Sequence, residues 1–182
     1  MNIIGLIKRI FLSNEDCLRS QGVKIGKHSW ISTRKFPSEG FLVSIGDYVR
    51  VANGTSFYTH GGIWSMRFFY NDPDLEHFGK IEIGDYTSIG ANCMIMPGVK
   101  IGKNCIVGGG SVVTKSIPDG CMVAGNPAKF IGYTDEFYKK LKSKNDFACK
   151  RMNHEEKINF ILNQPDDMFV KKGYIKTPNI EK

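Results

Sequence analysis

Several absences narrow the chemistry open to this chain of 182 residues. No apolar run approaches the length that a membrane-spanning helix needs, so none is expected. The five cysteines are an odd number and contain no Cys-x-x-Cys pair. That excludes a disulfide scaffold and fits free thiols in a reducing cytoplasm, the expected location. Neither cysteine nor histidine recurs at zinc-ligand spacing, and no metal is expected. The first residues lack the charge-first order and the small-residue cleavage site of a secretory signal. There are only four histidines, so proton chemistry near neutral pH has few candidates.

What is present suits one domain with an appended segment. Apolar residues make up 41% of the chain, enough for a real core. The stretch 1–20 reads as a short amphipathic helix with Ile3, Ile4, Ile7, Ile10 and Phe11 on one face. Packing onto the body or a sister chain is its expected role, and membrane-surface association is the lesser alternative. The net charge is +7, and Lys139 to Lys182 alone contribute 11 basic against 6 acidic residues. Glutamates interrupt those lysines in helix-like sequence, and no aromatic stacking platform accompanies them. A solvated helical face is expected, and no nucleic acid.

The middle of the chain counts in sixes. From Ile83 it reads IGDYTS, IGANCM, IMPGVK, IGKNCI, VGGGSV, VTKSIP, six blocks each opening on Ile or Val. Earlier blocks start at Ile25 (IGKHSW) and Ile45 (IGDYVR), and GVKIGK occurs at both Gly22 and Gly98. A period of six fits neither an amphipathic helix nor simple strand alternation. It fits a solenoid of short flat faces, each sending one branched residue inward. Three faces give a triangular coil of about 18 residues, with Ile83 stacked on Ile101 and Ile89 on Val107. Fifth positions, among them Thr87, Cys93, Cys105, Ser111 and Ile117, are mostly small or branched. Cys93 and Cys105 then fall on different faces and fill the core. One stretch breaks the count, FYTHGGIWSMRFFYNDPDLEHFGK from Phe57 to Lys80. Long insertions in a regular scaffold are usually functional, and this one is too aromatic to be disordered.

The Ile-Gly-x-x-x-x blocks, continued by IMPGVKIGKNCIVGGGSVVTKSIPDGCMVAGNPAKFIG, resemble the left-handed β-helix, hexapeptide-repeat acyltransferases. THGGIWSMRFF is similar to the loop of the bacterial polysaccharide-type O-acetyltransferases in that superfamily. The likeness runs from about Gly22 to Tyr133, and VTKSIPDGCMVAGNPAK is its most specific part. The resemblance implies an all-β-dominated fold, a left-handed parallel β-helix at 21–131 with an insertion at 58–80. A short N-terminal helical segment (1–20) precedes it and a C-terminal helical extension (132–182) follows. The handedness comes from the resemblance alone, since ordinary crossovers are right-handed. The resemblance also implies acetyl-CoA as co-substrate and a homotrimer with each cleft between two subunits.

Acetyl transfer to a hydroxyl needs a base, donors for the tetrahedral oxyanion, and two reactants held together. His28 lies in a turn-prone block and His154 precedes Glu155 and Glu156 in helix-like sequence, so both read as surface residues. The resemblance places the catalytic histidine at THGG, which is His60, with His77 as the alternative. Related enzymes commonly read His-Asp-Gly-Gly here, whereas this chain reads His60-Gly61-Gly62. A group orienting His60 must come from elsewhere, with Asn53, Asp72, Asp74, Glu76 or a backbone carbonyl as candidates. Trp64 could stack on a sugar face and Arg67 could hold a carboxylate or phosphate of the acceptor. Trp64 and its aromatic neighbours could equally pack on an adjacent subunit. For the coenzyme arm the resemblance implies Ala91 and Gly109, with Ser111 nearby, then Thr114 and Lys115 near the phosphates and Lys129 towards the nucleotide. An Ala91 or Gly109 amide is the candidate oxyanion donor.

The expected function is acetyl-CoA-dependent O-acetylation of a sugar or polysaccharide precursor, as in capsule or lipopolysaccharide synthesis. The alternatives are N-acetylation of an amino-sugar nucleotide, acetylation of an antibiotic, and a non-catalytic β-helical scaffold.

Overall fold

The computed structural model describes residues 12–144 and 147–173. The expected apolar face of the N-terminal helix, Ile3 to Phe11, lies outside the described residues. The first described helix, α1, is Asn14–Arg19, where the Ser13 side chain caps the start by accepting from the Asp16 amide at 3.1 Å.

Thirteen short strands then follow in the described chain, most of them the length of a single dipeptide. They stack into three parallel sheets, the three walls of a coil. The first wall holds β1 (Lys24–Ile25), β3 (Val43–Ile45), β6 (Ile81–Ile83) and β9 (Lys100–Ile101). The second holds β2 (Trp30–Ile31), β4 (Arg50–Val51), β7 (Ser88–Ile89), β10 (Ile106–Val107) and β12 (Cys121–Ala124). The third holds β5 (Ser56–Phe57), β8 (Met94–Ile95) and β11 (Val112–Val113). Strand β13 (Lys129–Tyr133) returns antiparallel along β12.

The register shows why the sequence counts in sixes. Ile83 lies opposite Ile101, Ile89 opposite Val107 and Ile95 opposite Val113, each pair one full turn of three blocks apart. Every one of these side chains is buried, so each turn adds one branched residue per wall to a continuous column. Fully burying such a side chain stabilises by about 1.5–3 kcal/mol, and a coil of such short strands has few other sources. The fifth positions turn inward as well. Thr87 is buried, donates to the Gly102 carbonyl at 2.8 Å and accepts from the Cys105 amide at 3.1 Å. Cys93 and Cys105 are buried free thiols on different walls.

The count fails in three places. The first turn is longer than a regular one, with Ile25 opposite Ile45 and Ile31 opposite Val51. Ile101 bridges Ile117, which arrives short of a full turn, so Ile117 fills a first, large inward position rather than a fifth. In the other direction, Ile45 lies opposite Ile83 and Phe57 opposite Ile95, in each case at more than twice the regular spacing along the chain. The detour between those turns therefore lengthens the chain without shifting any register. It carries a helix of its own, α2 (Trp64–Phe69).

The chain divides after Thr134 into a coil unit and a C-terminal unit. The latter carries α3, which starts at the boundary (Thr134–Lys144), and α4 (His154–Leu162). Helix α4 opens on a reciprocal capping box, Asn153 with the Glu156 amide and Glu156 with the Asn153 amide, each at 3.0 Å.

Candidate active site

The detour leaves the coil at the far edge of the third wall. Phe57 and Thr59 point inward and are buried, which turns His60 outward, its side chain 45% exposed. The Gly79 amide donates to the Thr59 carbonyl at 2.7 Å, and His60 bridges Phe78, closing the neck of the detour. Gly61 and Gly62 follow with φ of +147° and +80°, backbone that a side chain would strain, and let the chain leave sharply.

One turn below, the chain from Lys35 to Leu42 supplies what His60 needs. Lys35 bridges Ser56 and the Phe36 ring lies 4.3 Å from that of Phe57. This stacking carries Glu39 directly beneath His60. Glu39 Oε2 lies 2.8 Å from His60 Nδ1 and accepts from Thr59 Oγ1 at 3.1 Å. Ser38 Oγ donates to the other oxygen at 2.7 Å. The Ser38 hydroxyl, the Glu39 amide, Thr59 and the adjacent imidazole together outweigh desolvation and hold the Glu39 carboxyl below its ordinary value. A charged carboxylate on Nδ1 fixes the proton there, so Nε2 presents its lone pair outward. Among the described residues no hydrogen-bond partner meets Nε2.

The side chain bonded to His60 is therefore Glu39; none of the orienting candidates Asn53, Asp72, Asp74 and Glu76 bonds to the ring, and His77 is the alternative base. Asn53 sits at the opposite edge of the third wall, where its carbonyl accepts from the Asn92 amide at 3.0 Å. Asp72, Asp74 and His77 are exposed on the detour. Glu76 is engaged by Arg67 Nη2, whose Nε also donates to the Leu75 carbonyl at 2.8 Å. That guanidinium, expected to be open for an acceptor's anionic group, instead ties α2 to the returning segment at Leu75 and Glu76. His28 and His154 are exposed, as expected, with the His28 ring stacked 4.8 Å from Tyr48.

Two hollows meet at His60. One, about 370 Å³, lies under the detour between Glu39, Gly62, Trp64, Arg67 and Glu76. The other, about 480 Å³, lies on the third wall between Lys35, Phe36, Ser56 and Tyr58. His60 is the one residue lining both. Trp64 is 72% exposed, with its ring 4.9 Å from that of Phe68.

The residues named for the coenzyme separate into two groups. Thr114 and Lys115 are exposed just beyond β11, on the same edge as His60 and two turns along, about 10 Å at normal strand spacing. Asn53, Ala91 and Gly109 stack at the other edge; the Gly110 amide donates to the Ala91 carbonyl at 2.8 Å. A wall's width separates the two groups, on the order of 15–20 Å. Ala91 and Gly109 are exposed. Ser111 is fully buried, with its hydroxyl donating to the Gly108 carbonyl and accepting from the Gly125 amide, so its hydroxyl is engaged by the coil itself. Lys129 opens β13 and is exposed.

The coil segment 80–115 matches the model of the bacterial transferase hexapeptide (six repeats) family. Protein CapG of Staphylococcus aureus is 38% identical over 168 residues, 87% of this chain and 96% of that protein. The chain belongs to the hexapeptide-repeat transferases. Its fold is their left-handed parallel β-helix and its enzyme class is acetyltransferase. Among solved structures, this hexapeptide-repeat transferase is similar to the maltose O-acetyltransferase of Clostridium difficile 630. The identity is 29% and the TM-score 0.52, covering 65% of this chain and 73% of that one. It is also similar to the hexapeptide-repeat acetyltransferase VCA0836 of Vibrio cholerae, crystallised with acetyl coenzyme A. There the identity is 28% and the TM-score 0.52, over 62% of this chain and 61% of that one.

Counting does not find Glu39: one regular turn before His60 falls on Leu42, and the slippage in the irregular stretch Thr33–Leu42 that brings Glu39 there is not marked in the sequence, where PSEG reads as an ordinary surface turn.

Proposed function

We propose that this acetyltransferase moves the acetyl group of acetyl-CoA to a hydroxyl of a sugar or polysaccharide precursor, with His60 as general base. The observation that carries this is a single imidazole between two hollows, its Nδ1 held by a carboxylate and its Nε2 free. The hollow under the detour takes the acceptor, with Trp64 as a face for the ring. Nε2 accepts the hydroxyl proton as the oxygen attacks the thioester carbonyl. The tetrahedral oxyanion collapses, the carbon–sulfur bond breaks, and the imidazolium returns the proton to the departing thiolate. Glu39 offsets the imidazolium charge during that interval. No acyl-enzyme is required, and the five cysteines are buried.

The coenzyme arm fits the exposed small residues Ala91 and Gly109, with Thr114 and Lys115 towards its phosphates. Because Ala91 and His60 stand at opposite edges of one wall, a second copy must bring its own edge alongside His60. A homotrimer with each cleft between two chains meets that need. The CapG relative and the maltose O-acetyltransferase neighbour support a sugar-containing acceptor.

The test is thiol release from acetyl-CoA with a panel of sugar and amino-sugar acceptors. His60→Ala should lower turnover by about a hundred- to ten-thousandfold, with circular dichroism and oligomer size unchanged. Near-normal turnover removes His60 from the role, and acetylation confined to amines replaces O-transfer with N-transfer.

A further inference from the structure

The hollow under the detour is lined by two carboxylates, Glu39 and Glu76, and by one permanent cation, Arg67. Glu39 is committed to His60, Thr59 and Ser38. Arg67 is committed too, through Nη2 to Glu76 and through Nε to the Leu75 carbonyl. Its side chain is 27% exposed, whereas that of Glu76 is 53% exposed. The anion is thus the more exposed member of the pair. With His60 neutral the hollow carries a formal charge of −1, and the one permanent cation among the residues lining it is already paired with a carboxylate.

We propose that the Arg67–Glu76 pair sets acceptor specificity. By occupying the one guanidinium in the hollow, Glu76 excludes acceptors that carry a carboxylate or phosphate next to the reacting hydroxyl and admits uncharged or amino-bearing sugars. A bare arginine at this position would have done the opposite, offering a planar fork for a uronate. Like-charge juxtaposition is an effective way to reject a near-identical ligand, since a glucoside and a glucuronide differ only at one carbon. This rests on reading the hollow as the acceptor's site.

The experiment compares neutral glycosides with their uronic acid counterparts, methyl glucoside against methyl glucuronide and methyl galactoside against methyl galacturonide. The full chain is supplied with acetyl-CoA and thiol release is followed. The natural sequence should favour the neutral member by at least tenfold in kcat/KM. Glu76→Gln, which keeps the size and a hydrogen-bonding oxygen but frees the Arg67 charge, should narrow that ratio at least fivefold by raising turnover of the acidic member. The double variant Arg67→Gln with Glu76→Gln has no cation to offer and should keep the original discrimination. Equal or better turnover of the uronates by the natural sequence overturns the inference and leaves the acetyltransferase reading intact. An unchanged ratio in Glu76→Gln, or the same narrowing in the double variant, also overturns it. Thiol release with no member of the panel removes the parent reading and this one with it.

Discussion

Replacing Glu39 separates orientation from charge at the proposed base. Its Oε2 sits 2.8 Å from Nδ1 of His60, and two hydroxyls, Thr59 and Ser38, bond to the same carboxylate. Glu39→Gln retains an oxygen that can accept from Nδ1–H. It removes only the charge that balances an imidazolium. The loss is then the excess of a charged over a neutral hydrogen bond, about 1–1.5 kcal/mol. At about 1.36 kcal/mol per decade that lowers kcat about five- to twelvefold. Glu39→Ala loses the whole interaction, about 1.5–3 kcal/mol, or roughly ten- to a hundredfold. The 45% exposure of His60 favours the lower part of both ranges, because solvent screens the pair. Alanine also strands the hydroxyl of Thr59, which is fully buried, so part of its effect appears as lost stability. Glutamine is the cleaner probe. The assay is steady-state thiol release with the melting temperature measured alongside. The acceptor KM should hold within about twofold, since Glu39 works through His60. Turnover of Glu39→Ala above half that of the natural sequence, or glutamine costing more than alanine, refutes the reasoning. The sign with pH also follows. Glu39 is held below its ordinary value of 4.5, so its stabilisation is complete above that value and disappears as pH falls through the lower one of the folded state. An activity loss above pH 4.5 is therefore not Glu39 taking up a proton.

Three further perturbations test other parts of the structure. Gly109 is exposed beside Ala91, with a φ that tolerates a side chain, so Gly109→Leu should raise the KM for acetyl-CoA at least tenfold and leave the melting temperature within a few degrees; an unchanged KM moves the coenzyme off that edge. Ile95 is fully buried between Phe57 and Val113, and Ile95→Ala should cost about 2–5 kcal/mol, read from the urea midpoint. A Cβ on Gly79 would run into the backbone nitrogen of Gly98, so Gly79→Ala should displace the neck of the detour and cost about 1–3 kcal/mol, with turnover falling alongside; an unaffected variant means that the neck does not set the position of His60.

The coil from Ile83 to Val113 was legible because each wall contributes one inward residue every six positions, so the packing is printed in the sequence as a period. Where the wall lengths change, the period misleads. Ile117 looked like a fifth position by count, yet the shortened turn puts it over Ile101 as a first position. Glu39 was hidden for the same reason. It lies in an irregular stretch, and its partner is adjacent in space but more than a full turn away along the chain. A lone glutamate in a Ser-Glu-Gly turn carries no mark of that pairing. His60 was legible through the resemblance carried by THGG, and its outward direction was not. Nor was the state of Arg67, because a guanidinium's partner depends on how the detour folds back, and that follows α2 and not the repeat. Ser111, which the resemblance puts near the coenzyme arm, bonds within the coil to Gly108 and Gly125, a use that its neighbours in the sequence do not reveal.

The detour begins and ends on neighbouring rungs, and its neck is closed by the 2.7 Å bond from the Gly79 amide to Thr59 beside the His60–Phe78 bridge. The ladder on either side pairs in the same register as turns that have no detour. Among the described residues the strands of the spiral thus keep their pairing across the gap from which the detour hangs. The protein is in effect a mounting with an interchangeable head: grafting a different outgrowth across the same short gap would alter what is recognised while the mounting keeps its cohesion. A lineage built this way can diversify its targets at one address without renegotiating its architecture.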